Sequence, residues 1–314
     1  MKFYYINLNR SPDRNENMLS FFDNLSKIRK NINFERIEGF DGNKENIDDY
    51  IDVFKFKDLK GTYITNRYFT YYGLNINFGD KTVLESSLKE SEFGCLYSHL
   101  KAIYKFSKTN EDLAIICEDD LNSNIIYNSE YFNSKLDGLI KEIDKYGIIL
   151  LSCVGSNNLI DIILNKTICS NKNNLYKFIP YYFFGTGSYI INKKTANKIV
   201  NSCLKFKNNK MLLNIPKTKI SLVADNFIYS FSNTHVYLPS LFFTRENNDS
   251  LIDNNPNKQD ISQQIMKKYI QKHKLQYLND TIEKKEEKVI IKKKKKVSKN
   301  RELPDNVLLK LMSR

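Results

Sequence analysis

The sequence predicts an α/β protein in which a mixed, mainly parallel sheet is flanked by helices and followed by a basic C-terminal tail. Three observations predict it. Short runs at Phe3–Leu8, Leu113–Cys117 and Gly147–Cys153 have the length and the Ile, Leu and aromatic content of buried strands. Longer stretches between them carry apolar residues at helical spacing. The run at 113–117 ends abruptly in Glu118-Asp119-Asp120, at the C-terminal end of a strand, where open α/β sheets bind their ligands.

The elements follow in order. Lys2–Asn9 is rich in aromatics and closes on polar residues, as a strand does. Ser11 then suits an N-cap, Pro12 the first helical position and Asp13 the positive end of a helix, whose Met18, Leu19, Phe22 and Leu25 recur to about Lys30. A helix start flanked by Arg10 and Arg14 suits a diphosphate; the alternative is two ordinary surface arginines. Asn33–Phe40 gives a second strand closed by Asp41-Gly42, and the β-α-β order predicts a parallel pair, the start of a nucleotide-binding half. Residues 43–90 lack periodicity but cluster Tyr63, Tyr68, Phe69, Tyr71 and Tyr72, which suit either stacking on a ligand or core packing.

Ser91 is placed as the N-cap of a helix with the stripe Phe93, Leu96, Tyr97, Leu100, Ile103 and Tyr104. Glu92 and His99 lie along one edge of that stripe, where a histidine is either catalytic or simply hydrogen-bonded structure. Further on come a helix around 129–145, the strand at 147–153, and a strand-like Ser188–Asn192 preceded by Gly185-Thr186-Gly187, too short for a phosphate loop. A helix at about 194–205, a short helix beginning near Asp225, and short strands at His235–Pro239 and Leu241–Thr244 complete the body.

If the backbone stays extended through the acids, Glu118 and Asp120 share a face and Asp119 points away. Two carboxylates on one side suit a hard divalent cation that also holds phosphates; the alternative is a solvated acidic turn.

Composition narrows the classes. The hydrophobic content of 41% suits a globular protein, and no run reaches the roughly 20 apolar residues of a membrane span. The strand-like start argues against a signal peptide, so the expected place is the cytoplasmic side, soluble or peripheral to a membrane. Five cysteines without C-x-x-C spacing read as buried thiols. The net charge of +13 is uneven: residues 258–314 hold 17 Lys/Arg and 7 Asp/Glu, leaving 1–257 near neutral. We therefore divide the chain into a near-neutral folded domain at 1–257 and a basic, partly helical or disordered tail at 258–314. A neutral body makes nucleic acid an improbable partner, because backbone binding needs basic residues across a folded surface.

Several pieces together resemble glycosyltransferase family 25, the lipooligosaccharide and collagen-type galactosyltransferase family. They are Ile6–Arg14, Phe34–Ile37 leading to Asp41-Gly42, Glu92–Lys101 with its Ser98-His99, Glu118-Asp119-Asp120, Gly185-Thr186, Asp225 and Ser250–Ile252. The resemblance implies a GT-A fold, a UDP-hexose donor (galactose or glucose), Mn²⁺ or Mg²⁺, and a glycan or hydroxylated protein side chain as acceptor. It implies a single inverting displacement, with Asp120 and Glu118 holding the metal and Asp225 accepting the acceptor's proton. Asn9, Arg10, Arg14, Asp41, Glu118 and Asp119 would line the nucleotide sugar, and Glu92 and His99 are further catalytic candidates. The residue-level alternative for Asp225 is an N-cap. The rival classes are a nucleotide-sugar-binding protein without transferase activity and a protein that binds nucleic acid or membrane through its tail. In that tail Lys292–Lys296 precedes an amphipathic Leu303–Met312, which suits an anionic membrane surface.

Overall fold

The computed structural model describes residues 1–52, 57, 60–61, 68–71, 74–77, 86–155, 157–165, 174–180, 182–214, 221–245 and 257–273. Strand β1 (Lys2–Asn7) leads into helix α1 (Pro12–Ile28) and strand β2 (Asn33–Glu38). A 3-10 helix (Ile47–Tyr50) and the short strands β3 (Lys60–Gly61), β4 (Tyr68–Tyr71), β5 (Leu74–Asn77) and β6 (Ser86–Ser87) precede helix α2 (Glu90–Ser107). Then come β7 (Leu113–Glu118), α3 (Ser129–Tyr146), β8 (Ile148–Gly155), α4 (Asn157–Asn165), β9 (Leu175–Lys177) and β10 (Phe183–Asn192). The last elements are α5 (Lys193–Cys203), β11 (Leu204–Lys207), β12 (Lys210–Leu213), α6 (Ala224–Tyr229), β13 (His235–Tyr237) and α7 (Asn257–Lys272).

Among the described residues, seven strands form one sheet in the order β2-β1-β7-β10-β8-β13-β9. β1 lies parallel to both β2 and β7, β13 is parallel to β8, and β10 and β9 run against their neighbours. The expected mixed α/β architecture with a mainly parallel sheet is present. Alternation along β1 shows how both faces are covered. Phe3 and Tyr5 pack on Phe22 of α1, whereas Tyr4 faces Phe106 of α2. All five of these rings are buried, and each such ring pair contributes about 0.5–1.5 kcal/mol beyond its buried area.

Register fixes where the polar strand ends meet. Asn7 stands opposite Glu38, Ile6 opposite Glu118, and Ser188 of β10 opposite Cys117. The ends of β2, β1 and β7 and the early part of β10 therefore share one edge of the sheet.

Several local expectations are corrected. Helix α2 begins one residue before Ser91 and its N-cap is Lys89; Ser91 sits inside the first turn. β10 starts at Phe183, well before Ser188, with a register shift between Phe184 and Ser188 where Gly185 takes φ +92°. Leu241–Thr244 is not a strand, and only Thr244 bridges back, to Leu121. Helix α7 packs on the body: Met266 and Ile270 are fully buried, and Gln263 donates to the Thr244 hydroxyl. Tyr63, Tyr72, Ser250–Ile252 and the Lys-rich segment beyond 273 lie outside the described residues. Among the described residues no helix is long and apolar enough to cross a membrane.

Candidate active site

Two glycines bring α2 against the end of β2. A Cβ on Gly94 would stand 2.8 Å from the Phe40 carbonyl oxygen, and one on Gly42 would collide with the Glu90 carbonyl. Only bare backbone fits that crossing. Ser98, one turn on, accepts a hydrogen bond from the Phe40 N–H at 2.7 Å and donates to the Gly94 carbonyl at 2.6 Å. The loop after β2 is thereby clamped to the first half of α2, and a cleft opens between them and the ends of β1 and β7. Arg10, Arg14, Asp41, His99, Glu118, Asp119 and Asp120 all line it.

Glu118 and Asp119 turn to opposite sides, although the backbone does not stay extended through the acids as expected. Asp119 turns toward α1: one oxygen accepts from Asn7 Nδ2 at 2.7 Å and the other from Arg14 Nη1 at 3.1 Å. Glu118 turns toward α2 and β10. His99 Nε2 lies 3.2 Å from its Oε1, which also accepts the Thr186 hydroxyl, while His99 Nδ1 lies 3.1 Å from the Tyr189 hydroxyl. β7 ends at Glu118, so Asp119 and Asp120 belong to the turn that follows.

Electrostatics separates them further. Burial raises the Asp119 carboxyl above its usual range, with Asn7 and Arg14 pulling it part of the way back. Burial and the neighbouring Glu118 and Asp119 push Asp120 up to about 7. Burial also works against the Glu118 carboxylate, but the His99 contact and the Thr186 hydroxyl outweigh it and hold the group below its usual range.

The remaining candidates have other places. Arg10 Nε pairs with Asp41 Oδ2 at 2.7 Å across the cleft mouth. Asn9 lies outside the cleft, donating to Glu38 Oε1 at 2.5 Å and accepting from Arg36 at 2.7 Å. Glu92 is not in the cleft lining; its carboxylate accepts the Lys89 N–H at 2.8 Å and caps α2. Asp225 stands in the wall behind β10, buried, with Oδ2 accepting the Gly185 N–H at 3.1 Å and Oδ1 the Asn226 N–H at 2.6 Å. Val223, not Asp225, is the N-cap of α6. Burial raises the Asp225 carboxyl, against the two backbone N–H groups that favour its charge.

Asn7 and Thr186 hold the acids, Tyr189 holds His99, and none of the three was singled out from sequence as a site residue. Thr186 carried a signal, a hydroxyl between two glycines at the start of a strand, which a search for phosphate loops discards. A second donor set also emerges: the ligand atoms of Cys95, His99 and Glu118 lie within 4.8 Å of one another. Burial pushes the Cys95 thiol well up, which disfavours the thiolate a metal needs.

Acids and arginines facing each other across a cleft at the C-terminal end of a central strand suit a phosphate-bearing ligand. The sequence profile of glycosyltransferase family 25, described as an LPS biosynthesis protein family, matches residues 1–216. No curated protein matches the chain. The matched stretch takes in every strand end around the cleft and stops short of Asp225. With well over half of its length matched, the chain belongs to glycosyltransferase family 25.

Proposed function

We propose that the protein moves a hexose, galactose or glucose, from a UDP-sugar to a hydroxyl of a glycan acceptor on a GT-A-like fold. The observation that carries this reading is the meeting of Glu118, Asp119 and Asp120 with Arg10 and Arg14 in one cleft. The arginines suit the diphosphate, and Asp119 orients Arg14 for it. Asp41, paired with Arg10, lies at the cleft mouth.

The donor set also fits a hard divalent cation. Three carboxylates in succession, with Asp120 pushed up to about 7 by burial and by Glu118 and Asp119, form a concentration of negative charge that a cation relieves. Asp120 and Glu118 would hold Mn²⁺ or Mg²⁺, which when bound offsets charge on the departing diphosphate. The single displacement also needs a group to take the acceptor's proton. Asp225 is proposed for it, because its buried carboxyl has a raised proton affinity and stands beside Gly185 next to the Thr186–Glu118 contact. His99 has a rival claim from one observation: it lines the cleft itself.

Release of UDP from a panel of UDP-sugars, with Mn²⁺ and with EDTA, tests the reading. Turnover with UDP-galactose or UDP-glucose that EDTA abolishes is expected, and Asp120→Ala should behave like EDTA. Full turnover in EDTA removes the metal, and no UDP binding at all removes the transferase reading. The tail is proposed as a peripheral contact to anionic membrane, tested by co-sedimentation with anionic and neutral liposomes at low and high salt.

A further inference from the structure

A second depression opens from the mouth of the cleft, a groove of about 900 Å³ between the end of β2, the outer side of α2 and the β11–β12 hairpin. It shares Leu8, Arg10, Gly39, Phe40 and Asp41 with the cleft, so the two are continuous. Its chemistry differs from that of the cleft. Among the described residues that line it, seven side chains are basic and three acidic. Lys101 and Lys105 of α2 and Lys108 at its C-cap fall at i, i+4 and i+7 and so line one side of that helix; Lys105 also pairs with Glu35, and Lys108 lies over the Tyr104 ring. Lys101 is half-buried, donates to the Glu38 carbonyl at 2.7 Å, and burial lowers its affinity for a proton. Opposite the lysines, the hairpin presents Phe206, 48% exposed, with its ring 4.5 Å from that of Tyr104. The pairing of exposed Phe206 with half-buried Tyr104, beside three amines, leaves an aromatic surface and positive charge open to the groove. It matches a ligand with flat apolar faces and negative charge.

We propose that this groove seats the acceptor, and that the acceptor is an anionic saccharide carrying carboxylate or phosphate groups. The inference rests on the transferase reading and adds to it the acceptor's chemical class and its place. Sugar faces would lie on Tyr104 and Phe206, and the anionic substituents would face Lys101, Lys105 and Lys108. The continuity with the cleft is what selects an acceptor over an unrelated polyanion: a chain lying in the groove delivers one end to Arg10 and Asp41, at the door of the donor site.

The chain has no Trp, so Phe206→Trp in the full-length protein places a single indole reporter in the groove. Titration with a short oligogalacturonate should change its emission saturably, and a neutral maltodextrin of equal length should not. Adding Lys105→Gln and Lys108→Gln to the same background should weaken the oligogalacturonate about tenfold, while the Lys-rich tail is common to both proteins. No emission change, an unaltered affinity in the lysine variant, or equal response to maltodextrin overturns the proposal. So does an oligothymidylate that binds as tightly with the same lysine dependence, which would make the groove a nucleic-acid site. UDP binding measured in the same proteins separates the two readings. Normal UDP affinity without saccharide binding refutes the groove alone, and saccharide binding without any UDP affinity refutes its role as an acceptor site.

Discussion

His99 Nε2 stands 3.2 Å from Glu118 Oε1, so a buried helix residue touches the last residue of the central strand. The contact, with the Thr186 hydroxyl, keeps Glu118 ionised in spite of its burial. Removing the imidazole should therefore disarm the cleft without unfolding the sheet. His99→Ala is expected to lower turnover at least tenfold and weaken UDP-sugar binding. Tyr189→Phe, which removes only the hydroxyl 3.1 Å from Nδ1, should cost about 1 kcal/mol in stability and little turnover. Wild-type turnover in His99→Ala would show that Glu118 does not depend on it.

The glycines of two helices make opposite predictions. At Gly94 a methyl group meets the Phe40 carbonyl at 2.8 Å and the Gly42 nitrogen at 3.0 Å, both backbone, so neither can swing aside. Gly94→Ala should destabilise the fold by about 1–3 kcal/mol and impair donor binding, since it pushes the loop at 40–42 off α2. Gly138 lies within α3 with nothing inside 4 Å of its added Cβ. Gly138→Ala should stabilise by about 0.5–1 kcal/mol, the ordinary gain of Ala in a helix interior. Thermal melts of the two variants measure both signs; a neutral Gly94→Ala would mean that the crossing is looser than its backbone distances imply.

Asp225→Asn keeps the size of the side chain but has one oxygen, so it retains one of the Gly185 and Asn226 N–H contacts and turns its NH2 against the other; turnover is therefore read per folded molecule. If Asp225 takes the acceptor's proton, kcat should fall by about 10²-fold or more with UDP-sugar affinity nearly unchanged. The acid limb of the wild-type pH–rate profile should lie above the ordinary carboxylate range, because burial raises this group, and activity should fall as pH drops through it. The variant should lose that limb. Unchanged turnover per folded molecule would pass the role to His99.

What was legible in the sequence follows from which forces are local. The strands β1, β7 and β8 announce themselves because they are buried on both faces and so read as apolar runs. The acids at the end of β7 are legible for the same reason, since a polar triplet after such a run has nowhere to go but the sheet edge. Glu92 was read together with His99 from their spacing along one helix edge, while its capping bond to Lys89 depends on a helix start one residue earlier than expected. Asn7 and Thr186 stayed hidden because their roles are set by strand register and by the irregularity at Gly185, which pair residues more than 60 positions apart. No periodicity encodes such a pairing. Asp225 was legible as a candidate but not as a wall residue behind β10, since that depends on where α6 packs.

The last prediction concerns acid stability and lies far from the cleft. His235 begins β13, its ring 4.0 Å from that of Tyr146 and its Nδ1 2.8 Å from the Asn233 carbonyl, to which Nδ1–H donates in the neutral form. Burial lowers its affinity for a proton below the ordinary 6.5, and Lys145 and Lys177 add to the effect against the backbone carbonyls. With the folded value depressed, the unfolded chain binds a proton first as pH falls. Stability tied to neutral His235 is thus present above about pH 6.5 and is lost as pH drops from there toward the folded value. His235→Phe keeps an aromatic ring beside Tyr146 and removes the proton site. Denaturant melts from about pH 7.5 to pH 5 should show the wild type losing stability relative to the variant, with the gap opening below about pH 6.5. Carboxylates that titrate in the same window are common to both proteins and cancel in the difference. Parallel curves across the range would mean that the folded protein protonates His235 as readily as the unfolded chain does.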